Sequence, residues 1–187
     1  MSIYINEPLC DNCCDSPIYD KEYWDNLKDE TNNTNCYSYA FNRMEYNQER
    51  KLQPGELSSG KFKEYTCSNL LSKIKDDHKE IYKTDNIDKI PCNYYKIALV
   101  IDNNGKHDDY HFYRKDNNGT WSHKQGTNKI TNIDASGNKI FDPQYADRNY
   151  DKEDNDKYNY NKFCGYFAIP YKGMYNNYNI YSSEDKE

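Results

Sequence analysis

The sequence predicts an α+β fold in which N-terminal helices pack on an antiparallel β-sheet. Three observations carry this. A run of capping residues precedes a helical stretch from Cys36. A second stretch near residue 70 places apolar residues at helical spacing. Beyond residue 94 only β-rich runs remain, separated by Asn, Asp and Gly turns.

Residues 1–30 read as an irregular extension with cysteines at Cys10, Cys13 and Cys14, and with Trp24 and Leu27 anchoring a short turn. Residues 31–35, TNNTN, are helix-capping types, so a helix is predicted from Cys36 to Met44. Gln53-Pro54-Gly55 makes a turn. A second helix is predicted from Thr66 to Asp77, with Cys67, Leu70, Leu71 and Ile74 on one face. Tyr94 to Asp102, Tyr110 to Lys115 and Thr120 to Lys124 are predicted strands. Short strands are expected near Lys139 to Phe141 and over Lys162 to Ile169, with Gly165 permitting close packing. Residues 171–187 read as a polar tail, disordered from about Ser182. One main domain, 31–170, follows, with no internal repeat.

The 187 residues carry a net charge of -6, with 35% hydrophobic and 30% charged residues. Twenty-one tyrosines supply the buried area that aliphatic residues do not. Lys and Asp are intermixed and no basic stripe is visible, which argues against a nucleic-acid partner. No apolar run approaches the roughly 20 residues of a membrane span. The N-terminus, MSIYINEPLC, has no basic region followed by an apolar core, so no signal peptide is expected, and an intracellular (cytoplasmic) location or packaging in a virion follows. In that compartment the seven cysteines are expected to be thiols, ligands or nucleophiles rather than staples.

Cys36 is the candidate nucleophile. A thiol attacks as thiolate, and a helix start lowers its pKa through unpaired N–H groups. Asn35, just before it, is placed to donate its amide to a developing oxyanion. His111 and His123 are the candidate partners. Period-2 alternation puts His111 and Tyr113 on one face of their strand. Whether His123 shares that face depends on the loop. Asp116-Asn117-Asn118-Gly119-Thr120 suits a three-residue loop with Gly119 in the left-handed conformation, which sets Tyr113 opposite His123 and His111 diagonal to it. Thiol, base and orienting group then form the triad of a thiol hydrolase acting on an amide bond. Asp134 and Asp142 are alternative third members.

A helix-start cysteine followed by a sheet carrying His and a second polar residue resembles the papain-like thiol hydrolases, and most the NlpC/P60 branch. The strings NCYSYAFN, PGE, DYHFYRKDNNGTWSHKQG, DASGNKIFDP and FCGYFAIP also resemble little-characterised proteins of bacteria and large DNA viruses. The resemblance covers about residues 31–170. It implies a papain-like fold, a Cys36–His111–His123 triad, no cofactor, and a peptide or peptidoglycan-like substrate. The bulky neighbours Tyr110 and Phe112 depart from the small residue that NlpC/P60 proteins set before this histidine. The rival reading is a non-enzymatic interaction or virion-structural protein, whose many tyrosines suit a binding surface.

Cys10, Cys13 and Cys14 have half the spacing of a zinc site, and no second CxxC completes it. Neither phosphate-binding glycine motif is present.

Overall fold

The computed structural model describes residues 16–26, 34–44, 50–104, 108–151, 158–172 and 175–176. The cysteine cluster at Cys10, Cys13 and Cys14, Leu27 and the tail from Ser182 lie outside the described residues.

Three helices are described: α1 (Lys21–Asp25), α2 (Cys36–Ala40) and α3 (Cys67–Asp77). The strands are β1 (Arg43–Met44), β2 (Tyr82–Thr84), β3 (Tyr94–Asp102), β4 (Asp109–Lys115), β5 (Trp121–Lys124), β6 (Ile130–Thr131), β7 (Lys162–Pro170) and β8 (Tyr175–Asn176). β1 and β8 pair in parallel, and the others form a six-stranded antiparallel sheet ordered β2-β7-β3-β4-β5-β6.

This corrects the predicted fold class. The sheet dominates and the helices are few and short, so the chain is not a papain-like layer of helices packed on a sheet. The predicted helix from Cys36 to Met44 stops at Ala40 because Asn42 turns into the left-handed region, at φ 52°. The capping signal was sound; the length inferred from it was not. α3 keeps its predicted span, capped by Thr66 Oγ1 accepting from Asn69 N–H at 3.2 Å.

β3 is buried along its whole length, because both faces of the sheet are covered. On one face Ile97, Leu99, Ile101 and Phe112 pack against Tyr37 and Ala40 of α2 and Leu70 and Ile74 of α3. On the other, Ala98, Val100, Tyr113 and Trp121 pack against Ile140, Tyr160 and Tyr166. Residues 16–26, read from sequence as part of an irregular extension, dock at the β6 edge of the sheet. Trp24 packs on Tyr39 and Ile130, and Asp25 accepts from Ile130 N–H at 3.2 Å.

A second correction concerns the cysteines. Cys67 at the start of α3 is bonded to Cys164 of β7, and Cys92 is also in a disulfide. Among the described residues Cys36 is the free thiol. Gly165, expected to permit close packing, leaves 3.5 Å between the place of a Cβ and Phe167 Cζ, an ordinary contact. It has φ 135° at an irregularity where Leu99 faces Gly165 and Val100 faces Phe163, a backbone state open mainly to glycine.

Candidate functional site

Asn35 caps α2. Its Oδ1 accepts from Ser38 N–H at 3.0 Å and its Nδ2 donates to Leu52 O at 2.7 Å. One amide hydrogen of the expected oxyanion donor is thus already spent on tethering the 50–60 loop. That loop is held from the other side by Asp77, whose carboxylate accepts from Gly55 N–H at 2.6 Å, Tyr37 Oη at 2.7 Å and Ser58 Oγ at 2.8 Å.

Cys36 follows the cap and is 6% exposed. Its Sγ donates to Tyr110 O at 3.9 Å. The β4–β5 ladder pairs Arg114 with Ser122 and Lys115 with Trp121, so the sulfur reaches β4 beyond that ladder. Burial pushes its pKa up to about 12, with the Asp109 charge adding to the rise and the N–H groups of Phe112 and Tyr37 opposing it. The expected depression by the helix start therefore does not prevail. A five-residue helix has little dipole to offer against complete desolvation.

The hairpin holds the register that the sequence predicts. Asp116 N–H donates to Thr120 O at 2.9 Å, and Gly119 has φ 81°. With Arg114 opposite Ser122, the same register sets Tyr113 against His123 and leaves His111 diagonal. His111 Nε2 and His123 Nδ1 are 2.8 Å apart, and His123 Nε2 lies 3.1 Å from Ile133 O. The carbonyl can only accept, so His123 carries its proton on Nε2. Its Nδ1 then accepts from His111 Nε2–H, which leaves the lone pair of His111 on Nδ1. Burial lowers both pKa values: His123 to about 4, and His111 well below its usual range with help from His123. Both rings rest neutral. The His111 ring stacks on Tyr160, centroids 5.2 Å apart.

The alternative third members are engaged elsewhere. Asp134 accepts from Ser136, Asn138 and Asp147 N–H, closing its own loop. Asp142 accepts from Asn86 Nδ2 at 2.9 Å, from Gln144 N–H and from Tyr166 Oη. Among the described residues no cluster of His, Cys, Asp and Glu is arranged to hold a metal.

Cys36 and His111 line one cavity of about 720 Å³, together with Asn35, Lys51, Asp109 and Tyr160. They approach it from different layers. Cys36 belongs to the helix-side core, while His111 faces the opposite layer with Tyr113 and Tyr160. Three lining residues were not singled out from sequence. Lys51 sits on a loop with no regular period. Tyr160 is one of many tyrosines. Asp109 had the one usable signal, an acid two residues before the histidine of a strand.

The chain is 36% identical over 133 residues to "Insoluble matrix shell protein 1" of Ruditapes philippinarum, across 71% of this chain and 82% of that protein. No protein-family model matches the chain, and no solved structure matches it. Among the described residues no helix is long and apolar enough to cross a membrane.

Proposed function

The chain belongs to the family of the insoluble matrix shell protein 1 of Ruditapes philippinarum, and from that premise we propose that it is a non-enzymatic structural protein of an insoluble matrix. The observation that carries this is the extent of the relationship, which spans most of both chains. The disulfides support it. Disulfides persist in oxidising surroundings, so the Cys67–Cys164 bond and the bonded Cys92 favour a place outside the reducing cytoplasm over the intracellular location read from sequence. The test is fractionation of source material with an antibody to this chain. The expected result is recovery in the fraction that dissolves only in denaturant with reductant. Recovery in the buffer-soluble cell extract, with Cys67 and Cys164 reduced, would overturn the reading.

A second reading is favoured by the histidine pair. A thiol hydrolase needs a base with a free lone pair beside the thiol and a group that fixes the base. His111 Nδ1 has the lone pair, His123 fixes the ring, and Cys36 lines the same cavity as His111, from the opposite layer. In this reading His111 takes the Cys36 proton as sulfur attacks an amide carbonyl, then returns it to the leaving amine. The remaining amide hydrogen of Asn35 would face the oxyanion. This is the chemistry of the NlpC/P60 resemblance. Iodoacetamide at pH 7 separates the two readings. A structural thiol with a pKa near 12 reacts more slowly in the folded chain than in the urea-unfolded one. A catalytic one reacts faster, and His111→Ala removes the advantage.

A further inference from the structure

We propose that the cavity binds a small zwitterion of the amino-acid or short-peptide class, with its ammonium against Asp109 and its carboxylate against Lys51. Asp109 opens β4. Its Oδ2 accepts from Tyr160 Oη at 2.7 Å, and among the described residues no cation pairs with it. Among the described residues, the groups that act on its charge supply no positive charge. Asp102 stands opposite it on β3, with its own oxygens taken by Asn104 N–H at 3.4 Å and Asn159 N–H at 2.7 Å. Other described groups that feel its charge are the Cys36 thiol and the hydroxyls of Tyr65 and Tyr160. A half-buried carboxylate with like charges and neutral groups about it, among the described residues, favours an incoming cation.

Lys51 is the counterpart. Among the described residues its ammonium makes no ion pair. It lies 3.8 Å from where a Cβ on Gly126 would stand, which places it at the β5–β6 turn. Lys124 reinforces that end by donating to Gly126 O at 2.8 Å. The thiol feels both ends: the Asp109 charge raises its pKa and the Lys124 charge lowers it. One cavity thus presents an uncompensated anion and an uncompensated cation, with neutral amides such as Gln53 and Gln125 in its wall. A lone cation would satisfy only Asp109, and a lone anion only Lys51. A molecule with both termini free satisfies both, and the cavity is of ordinary ligand size.

The test is calorimetry on the full chain with glycylglycine, N-acetylglycylglycine and glycylglycinamide. A Cys36→Ser chain is run beside it so that no turnover contributes heat. Glycylglycine is expected to bind saturably at one site. Blocking either terminus should weaken binding about tenfold or more, the scale of one charge-assisted contact. In Asp109→Asn, acetylation should no longer matter; in Lys51→Met, amidation should no longer matter. These ratios are taken within each variant, and the three ligands on the unmodified chain decide the matter if a variant fails to fold. Absence of saturable binding overturns the proposal. So does equal binding of all three, or a penalty for only one blocked terminus. Binding is read without hydrolysis and without a matrix, so this result stands apart from both functional readings.

Discussion

His111 Nε2 lies 2.8 Å from His123 Nδ1, and three residues between Asp116 and Thr120 decide that they meet at all. A loop one residue shorter or longer would turn His123 to the other face of the sheet.

Gly119 holds that loop at φ 81°, with nothing within 4 Å of a Cβ placed there. The obstacle to a side chain is therefore backbone strain and not space. Gly119→Val should lower unfolding free energy by about 1–2 kcal/mol, and Gly119→Asn by less, because Asn tolerates the left-handed region. Urea titration of both variants checks the order. Equal losses would mean that the loop does not keep this conformation.

Acid should unfold the protein through its histidines. His123 and His78 both fall to about 4 in the folded chain by burial, and His111 moves the same way. The unfolded chain takes up protons near pH 6.5 that the folded chain refuses. Stability is therefore full above about 6.5 and is lost as pH falls toward 4, by roughly 3 kcal/mol each for His78 and His123 at the lower limit. Asp109 and Asp116, raised by burial, act in the opposite sense and offset part of the loss at the acid end. Melting temperature should fall steadily between pH 7 and 4.5, and His123→Gln should flatten the slope. A melting temperature that holds constant over this range would rule out neutral, buried histidines.

β3, β4, β5, β7 and the hairpin register were legible in the sequence because they rest on local signals such as the β-rich run Tyr94–Asp102 and the D-N-N-G-T turn, whereas the short β2 and β6 were not, and the strand expected near Lys139–Phe141 is only an isolated bridge at Lys139. The helix at Cys36 was legible at its start, where Asn35 is a local cap, and not at its end, where Asn42 departs from helical angles without a glycine or proline to announce it. Assigning thiols instead of disulfides failed because Cys67 and Cys164 are 97 residues apart and meet only once β7 lies beside β3. The Asp109 and Lys51 arrangement has the same origin. Charges become partners of one cavity through the sheet, and no spacing along the chain records it.

The Cys67–Cys164 bond closes a long loop and ties α3 to the sheet. Loop-closure entropy for that separation is worth on the order of 4 kcal/mol, on a chain-entropy account. Cys67→Ser/Cys164→Ser should melt well below the unmodified chain in the absence of reductant. With reductant present throughout, the two should converge. A variant that melts with the unmodified chain under oxidising conditions would show that the bond does not form in solution.

Arg114 and Asp116 form the other critical tie. Both side chains are fully buried, with Arg114 Nη2 at 2.9 Å from Asp116 Oδ1. The guanidinium also donates to Asn42 Oδ1 at 3.1 Å, Tyr39 Oη at 2.9 Å and Ile18 O at 3.1 Å, and lies 4.1 Å from the centre of the Tyr39 ring. It thus joins the N-terminal segment, α2 and the hairpin that carries His123. Removing the cation leaves a buried carboxylate without its partner, so Arg114→Met should destabilise by about 3–5 kcal/mol. Asp116→Asn should cost less, because the guanidinium keeps its other acceptors. If the pair acts as a unit, Arg114→Met/Asp116→Leu should be less damaging than the sum of the two single changes. Additive losses in a double-mutant cycle would mean that Arg114 acts through Tyr39 and Asn42 and that the ion pair contributes little.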